Sequence, residues 1–511
     1  MPDNQDAVIA FLRDPASYGP EVARVDVIET HISVVFLAGD RVYKLKRAVQ
    51  YSYLDFSTEP RRRAMCEAEL ALNRRTAPDL YLAVKPVTRD ADGAIGWAED
   101  GVPLDWVVVM RRFDQDLLLD AVARKGGLSP ALLQSLAAHI VEFHAEAEIR
   151  RDGGGRAAIG DIVRVNLRCL RDTHSAGFPP DQIDDAERRA IAEAARVGML
   201  LDRRRETGKV RRCHGDLHLR NIFLHDGKPV MFDCIEFSDA VATIDVLYDL
   251  AFLLMDFTHR GHADCANFVF NRYLDLTGDD DGLPAMPLFL AMRAVIRAHV
   301  TATALDRGWG AGATDAAADA RRYLDEARTA LCPLPARLVA IGGLSGSGKS
   351  TLAARLAQAL GTSPGARLLR SDVIRKRRFG AAPETALPPD AYTPRVSALV
   401  YDEICGRASV ALAAGRSAII DAVALSARER REFAAVAGRA GVPFDGIWLD
   451  APEPIMAARI SARRGDASDA SPEILGRQME IDPGPLDWVR IDAGTDPEIT
   501  ETAARRVLGL P

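Results

Sequence analysis

Residues 24 to 46 alternate apolar and polar positions and are rich in β-branched side chains. The alternation breaks at Gly39-Asp40, between "HISVVFLA" and "RVYKLK", and this predicts a β-hairpin with a two-residue turn. Apolar spacing at Met65, Leu70 and Leu72 predicts a helix over 60–76, and the run "WVVVM" from Trp106 to Met110 predicts a strand. From 130 to 330 helical spacing dominates, interrupted near 210–236 by short strands. The Ala-rich stretch at 311–330 reads as a helix that runs into a proline-punctuated linker at 331–337. Beyond it, short buried strands alternate with helices: "RLVAIGG" before a helix over 351–360, then "ARLLRSD", "SAIIDA" and "FDGIWLDA". Such alternation predicts a parallel sheet flanked by helices. The pattern thus divides the chain into an α+β part at 1–330, with a small lobe at about 24–112 and a helical lobe at 113–330, and an α/β part at 338–511.

A length of 511 residues exceeds one ordinary core, since folding units run to roughly 150 residues. Hydrophobic residues make up 48% and charged residues 27%, and no run approaches the roughly 18 uninterrupted apolar residues of a membrane span. The opening "MPDNQDAVIAFLRDP" lacks the basic and apolar segments of a signal peptide, so a cytoplasmic location is expected, with no membrane partner. Seven scattered cysteines form no CxxC pair, which argues against a disulfide framework or a zinc site. A net charge of -7 disfavours a general nucleic-acid binder. The clusters Arg61 to Arg63, Arg203 to Arg205 and Arg375 to Arg378 read as solvated charge. Composition leaves the oligomeric state open.

Two stretches carry chemistry. "HGDLHLRN", His214 to Asn221, precedes the apolar Val230, Met231 and Phe232, which end in Asp233. Phosphoryl transfer needs an oriented hydroxyl, clamped phosphates and a charge-neutralising metal. Asp216 can accept the proton of an acceptor hydroxyl, Asn221 can hold magnesium through its amide oxygen, and Asp233 can bridge metal to the phosphates. His214 is expected to order the loop. This stretch, with a lysine on the upstream hairpin, resembles the aminoglycoside phosphotransferase and choline kinase-like family, itself similar to protein kinases, over about 24–305. The resemblance implies a bilobal protein-kinase-like fold, with Asp216 as catalytic base and Asn221 and Asp233 as metal ligands. It also implies that the phosphate-clamping lysine is Lys44, with Lys46 the alternative, and that its helical partner is Glu69, with Glu67 the alternative. Met110 in "VVVMRRF" then lines the adenine, and Asp249 in "DVLYDLAFL" is a buried structural residue. No kinase-type glycine-rich loop is present between the first strands, and "FDCIEF" departs from the family's commoner sequel to its metal aspartate.

"GGLSGSGKST" fits GxxxxGK[ST] in full through Gly343, Gly348, Lys349 and Ser350, between an apolar strand and a helix. Backbone N–H groups around Gly343, Ser345, Gly346, Ser347, Gly348 and Thr351 can cradle phosphate, Lys349 can reach the β and γ phosphates, and Ser350 can take magnesium. Asp372, ending "LLRSD", can activate an acceptor hydroxyl, and Arg375 one turn on can steady an anionic group. Asp421, ending "SAIID", suits the second metal-holding role. Arg459, Arg463 or Arg464 in "APEPIMAARISARRGDASDA" can fold onto the transferring phosphate from a lid. The chain from about 336 to 500 is similar to small P-loop kinases of the gluconate kinase, zeta toxin and polynucleotide kinase kind, which implies a P-loop NTPase fold.

Two such stretches predict a bifunctional kinase using ATP and Mg²⁺ on small hydroxyl compounds. The competing reading confines catalysis to the P-loop domain, acting on a small molecule or a nucleic-acid 5′-hydroxyl, and makes the N-terminal domain a binding or regulatory module. A further reading, a pocket for a cationic aminoglycoside, would need Asp239, Asp245 and Asp256 to gather around it.

Overall fold

The computed structural model describes residues 4–30, 32–51, 54–98, 100–308, 313–463 and 466–510. By contacts the chain forms two compact units, Met1–Gly155 with Arg203–Leu253, and Arg156–Asp202 with Leu254–Pro511.

The first unit is built on an antiparallel sheet of six strands, in the order Val25–Glu29, Ser33–Ala38, Arg41–Lys46, Val102–Arg111, Tyr81–Arg89, Ile95–Gly96. The hairpin closes with Ala38 opposite Arg41, which leaves Gly39 and Asp40 as the turn; Gly39 takes φ +58°, the left-handed region such turns require. Period-two alternation sorts the side chains between faces. Val34, Phe36, Leu45, Val107 and Val109 pack on one side against Val8 and Leu12 of the helix Asp6–Arg13. Val42, Lys44 and Lys46 share the other face, with Met110 opposite Val42 and Val108 opposite Lys44. The helix Glu59–Asn73 covers this face, Cys66 packing with Val108. Its Arg62 is buried on Asp105 at 2.8 Å, and Asp105 also accepts from Gln5 at 2.7 Å, so the helix is pinned by a fully satisfied polar cluster. A short antiparallel pair, Val210–Arg212 with Thr243–Asp245, and the hairpin of Ile222–His225 with Lys228–Met231 flank the stretch His214 to Asn221 and lead to Asp233.

The second unit holds a five-stranded parallel sheet in the order Arg367–Arg370, Ala418–Asp421, Leu338–Gly342, Phe444–Asp450, Val489–Asp492. The central strand Leu338–Gly342 is buried at every position, as a run covered on both sheet faces must be. The helix after the glycine-rich turn spans Lys349–Ala357 rather than 351–360, because Gly348 in the left-handed conformation starts it at the lysine itself. The same unit contains the helices Ala263–Thr277, Met286–Asp306 and Ala313–Ala330. Arg367, fully buried at the sheet edge, donates to Asp280 at 2.7 Å and forms an ion pair with Asp275 at 2.7 Å, and Asn271 Oδ1 accepts from Leu368 N at 2.7 Å. Among the described residues, one helical stretch is long and apolar enough to cross a membrane, Asp280–Asp306, with mean hydropathy 1.4. More than half of it is buried in this unit, the composition of a core helix.

Candidate active sites

In the first unit the polar residues of the loop from His214 to Asn221 are arranged by a buried carboxylate. Asp249 is wholly buried, and its two oxygens accept from the backbone N–H groups of His214, at 3.0 Å, and Gly215, at 2.9 Å. His144 lies 3.2 Å from the same carboxylate. Gly215 takes φ +86°, where Cβ would press on Ile235 and Ala242, so glycine is required at the turn. His214 is buried, and its Nε2 lies 2.9 Å from the Phe232 carbonyl, which joins the loop to the strand end before Asp233. This is the ordering role expected of it.

The loop then presents Asp216 and Asn221 together, the Asn221 amide donating to Asp216 Oδ2 at 2.9 Å and to its carbonyl at 3.0 Å. Asp233 takes φ +62°, unusual for a residue with a side chain and common where strain is held at a working site. Its N–H donates to the Tyr81 hydroxyl at 3.2 Å, and the next N–H, of Cys234, donates to Asn73 Oδ1 at 2.8 Å. Asp233 Oδ1 accepts from Lys44 Nζ at 2.7 Å, and Lys44 Nζ also donates to Glu69 Oε1 at 2.8 Å. Lys46, two residues on and on the same strand face, donates to Glu69 Oε2 at 2.6 Å and to Glu236. Burial alone would push the Glu69 carboxyl up; the two lysines outweigh it and pull it down to about 2. Burial, with the Glu69 charge adding to it, leaves Glu236 above the usual carboxylate range although Lys46 and, more weakly, Lys44 oppose the rise. Of the alternatives, Glu67 pairs with Arg63 on the exposed side of the helix. Met110 packs with Phe113, Phe223 and Phe232 in one apolar cluster, and a pocket of about 450 Å³ opens nearby between Leu37 and Asp40 of the hairpin and Arg112 to Gln115.

Glu236 is the residue that sequence reasoning missed here. Its signal was the departure "FDCIEF": an acid three residues after Asp233 looked like a lost family feature, and it holds the second lysine. The carboxylates that a cationic pocket would need are each engaged by arginine, Asp239 by Arg212 at 2.9 Å, Asp245 by Arg204 at 2.6 Å and Asp256 by Arg260 at 2.9 Å.

In the second unit the glycine-rich turn is dictated by contact as much as by conformation. A Cβ on Gly343 would lie 2.6 Å from the Leu449 carbonyl, and one on Gly346 would lie 2.5 Å from that of Met456, with φ +135° and +83° respectively. Gln478 accepts from Ser345 N at 2.9 Å, and Lys349 Nζ donates back to the Leu344 carbonyl at 2.9 Å. Ser350 Oγ donates to Asp421 Oδ2 at 2.6 Å. The turn, with Thr351, borders a cavity of about 1050 Å³ that Asp372, Arg375, Asp421, Arg459 and Arg463 also line. Burial lifts the Asp372 carboxyl above its usual range, Arg370 and Lys349 opposing the rise and Asp421 adding to it.

The arginines take different places. Arg375 donates to the Ala391 carbonyl at 2.7 Å and to Ser397 Oγ at 3.3 Å and stacks over Tyr392, while its buried Nε has no protein partner among the described residues. Arg459 donates to the carbonyls of Ala493, at 2.8 Å, and Thr495, at 3.3 Å, beside Gly348. Arg463 stands 3.7 Å from Asp466, and Arg464 lies outside the described residues. Sequence reasoning missed Arg370, which reaches Ser350, Asp421 and Asp466 at once.

Both donor sets fit magnesium. Asn221 and Asp233 offer an amide and a carboxylate oxygen, and Ser350 and Asp421 offer a hydroxyl and a carboxylate, all hard oxygen ligands. In the P-loop turn, Ser347 Oγ is buried with no protein partner among the described residues, a group that a phosphate oxygen would satisfy.

The profile of the phosphotransferase enzyme family matches residues 37–289, and that of an AAA domain matches residues 338–481. An uncharacterized protein of Mycobacterium tuberculosis is 32% identical over 474 residues, which cover 90% of this chain and 91% of that protein, and a protein of Mycobacterium bovis matches to the same extent. Among solved structures, a choline/ethanolamine kinase family protein from Mesorhizobium loti is 15% identical, covering 63% of this chain and 94% of its own, with a TM-score of 0.38. A sugar kinase from Janibacter sp. is 25% identical, covering 34% of this chain and 96% of its own, with a TM-score of 0.27. Residues 37–289 and 338–481 coincide with the two constellations described above, and the 474 matched residues run through both of them in the mycobacterial relatives. The chain belongs to the phosphotransferase enzyme family, in a form that joins the phosphotransferase domain to a P-loop domain.

Proposed function

We propose that the protein is a bifunctional ATP-dependent kinase of the cytoplasm, which transfers γ-phosphoryl groups to hydroxyl groups of small molecules at two separate sites. The observation that carries this reading is that each site has a full set of parts of its own. Asp216, Asn221 and Asp233 stand with the Lys44–Glu69 pair in one. Asp372, Lys349 and the Ser350–Asp421 pair border one cavity in the other. Seven free thiols suit a reducing compartment, where ATP is at hand.

In the first site Asp216 takes the proton of the acceptor hydroxyl as that oxygen attacks the γ phosphorus, and the bond from phosphorus to the bridging oxygen of ADP breaks. Lys44, fixed by Glu69 and Asp233, offers its ammonium to the phosphates. Asp372 and Lys349 do the same work in the second site. When bound, magnesium supplies charge neutralisation on the phosphates, held by Asn221 and Asp233 in the first site and by Ser350 and Asp421 in the second.

The test is ADP release and product analysis with the intact protein against a library of small hydroxyl compounds. Asp216→Asn and Lys349→Ala should each remove one phosphorylation and leave the other. If both variants keep the full product pattern with the true acceptors, the reading is lost.

A further inference from the structure

Arg370 ends the strand Arg367–Arg370 and stands where three parts of the P-loop site meet. Its Nε donates to Asp421 Oδ2 at 3.3 Å, and its Nη2 donates to Ser350 Oγ at 3.1 Å and to Asp466 Oδ1 at 2.7 Å. The first two acceptors are the carboxylate and hydroxyl assigned above to magnesium. The third begins a strap, residues 466–469, which is fastened along the helix Ser371–Arg378: Ser468 hydrogen-bonds Asp372, and Asp469 accepts from Lys376 at 2.8 Å. Asp469 also accepts from Leu387 N at 3.1 Å and from the Tyr392 hydroxyl. Arg370 therefore ties the strap that reaches the base, Asp372, to the pair that would hold the cation.

A guanidinium and a divalent ion cannot share Ser350 Oγ and Asp421 Oδ2, because the two oxygens are only 2.6 Å apart and both claimants are positive. Displaced from them, Arg370 still has Asp466. We propose that Arg370 is an internal counter-cation that competes with the divalent ion for Ser350 and Asp421, so that ion binding turns the whole of its charge onto Asp466 and tightens the strap against Asp372. The strap, already resting on the base, is then held there most firmly when the ion is in place, which guards ATP against attack by water. The inference rests on the reading of Ser350 and Asp421 as cation ligands.

Manganese is the probe, titrated into the full chain without nucleotide and followed by the spin resonance of the free ion, in an Asp233→Asn background that removes the other site. Arg370→Met should bind manganese about tenfold more tightly, within the usual range of coupling between two competing occupants. Hydrogen exchange across 466–470 should slow on adding manganese in the parent and fail to respond in Arg370→Met. Asp466→Asn is the second variant: its guanidinium has lost the alternative partner, so manganese should bind more weakly. Unchanged or weaker binding by Arg370→Met that Asp421→Asn still abolishes overturns the role of Arg370. Binding that survives Asp421→Asn overturns the cation-ligand reading beneath it.

Discussion

Glu69 divides its two carboxylate oxygens between two lysines of one strand: Lys44 Nζ donates to Oε1 at 2.8 Å and Lys46 Nζ to Oε2 at 2.6 Å. The lysines differ in what else they hold. Lys44 reaches Asp233, whereas Lys46 is sealed against Glu236. Lys46→Met takes from the buried Glu236 carboxylate its hydrogen-bonded lysine and should destabilise the first unit by about 3 to 5 kcal/mol. Lys44→Met leaves Glu69 its second lysine, so the fold should survive while phosphorylation at the first site falls. Thermal melts together with product analysis separate the two outcomes; equal loss of stability in both variants would falsify this division of labour.

Asp249→Asn tests the support of the loop that carries Asp216. An amide offers one acceptor where the carboxylate offers two, so the N–H of His214 or of Gly215 is left unsatisfied, at a cost of about 1 to 3 kcal/mol. The loop that carries Asp216 should loosen. Turnover at the first site should drop more than nucleotide binding, and the second activity should be unchanged.

Gly346→Ala places a methyl group 2.5 Å from the Met456 carbonyl at φ +83° and should close the P-loop to phosphate. Calorimetric titration with a non-hydrolysable ATP analogue should then give one nucleotide per chain in place of two.

The acid limb of the second activity should lie above the ordinary aspartate range, because burial raises the Asp372 carboxyl and only its ionised form accepts a proton. Activity is therefore lost as pH falls through the raised value. The same shift has the opposite sign for stability. A carboxyl that holds its proton more tightly folded than unfolded costs stability as pH rises past the unfolded value. Asp372→Asn should thus remove the second activity, by about 10² to 10⁴-fold, and make the protein slightly more stable at neutral pH. A pH–rate profile and melts at pH 7 check both signs.

Chelation should stop both phosphorylations, and added Mg²⁺ should restore them. Asn221→Ala should raise the magnesium needed at the first site only, read from rate against metal concentration with each acceptor.

The elements that sequence made legible are those with short-range causes. Gly39-Asp40 between alternating runs closed the hairpin in the expected register, and the glycines at 343, 346 and 348 announced a phosphate cradle because backbone conformation and close approach exclude other residues there. The strand Tyr81–Arg89 went unread, since Pro86 weakens a strand pattern and register shifts at each end blur its alternation. The fifth parallel strand, Val489–Asp492, was hidden for a related reason: it is short, and three of its four positions are exposed.

By itself, then, the order of residues determined two phosphate-handling motifs, the hairpin that carries Lys44 and the alternation that makes a parallel sheet, because each depends on neighbours a few positions apart. Only the tertiary structure decided which charges share a site. Lys46 meets Glu236 across 190 positions and Arg370 meets Asp466 across 96, and no local preference encodes such pairs. They form because packing removes water from around them, and a buried charge must find whichever opposite charge the fold brings within reach.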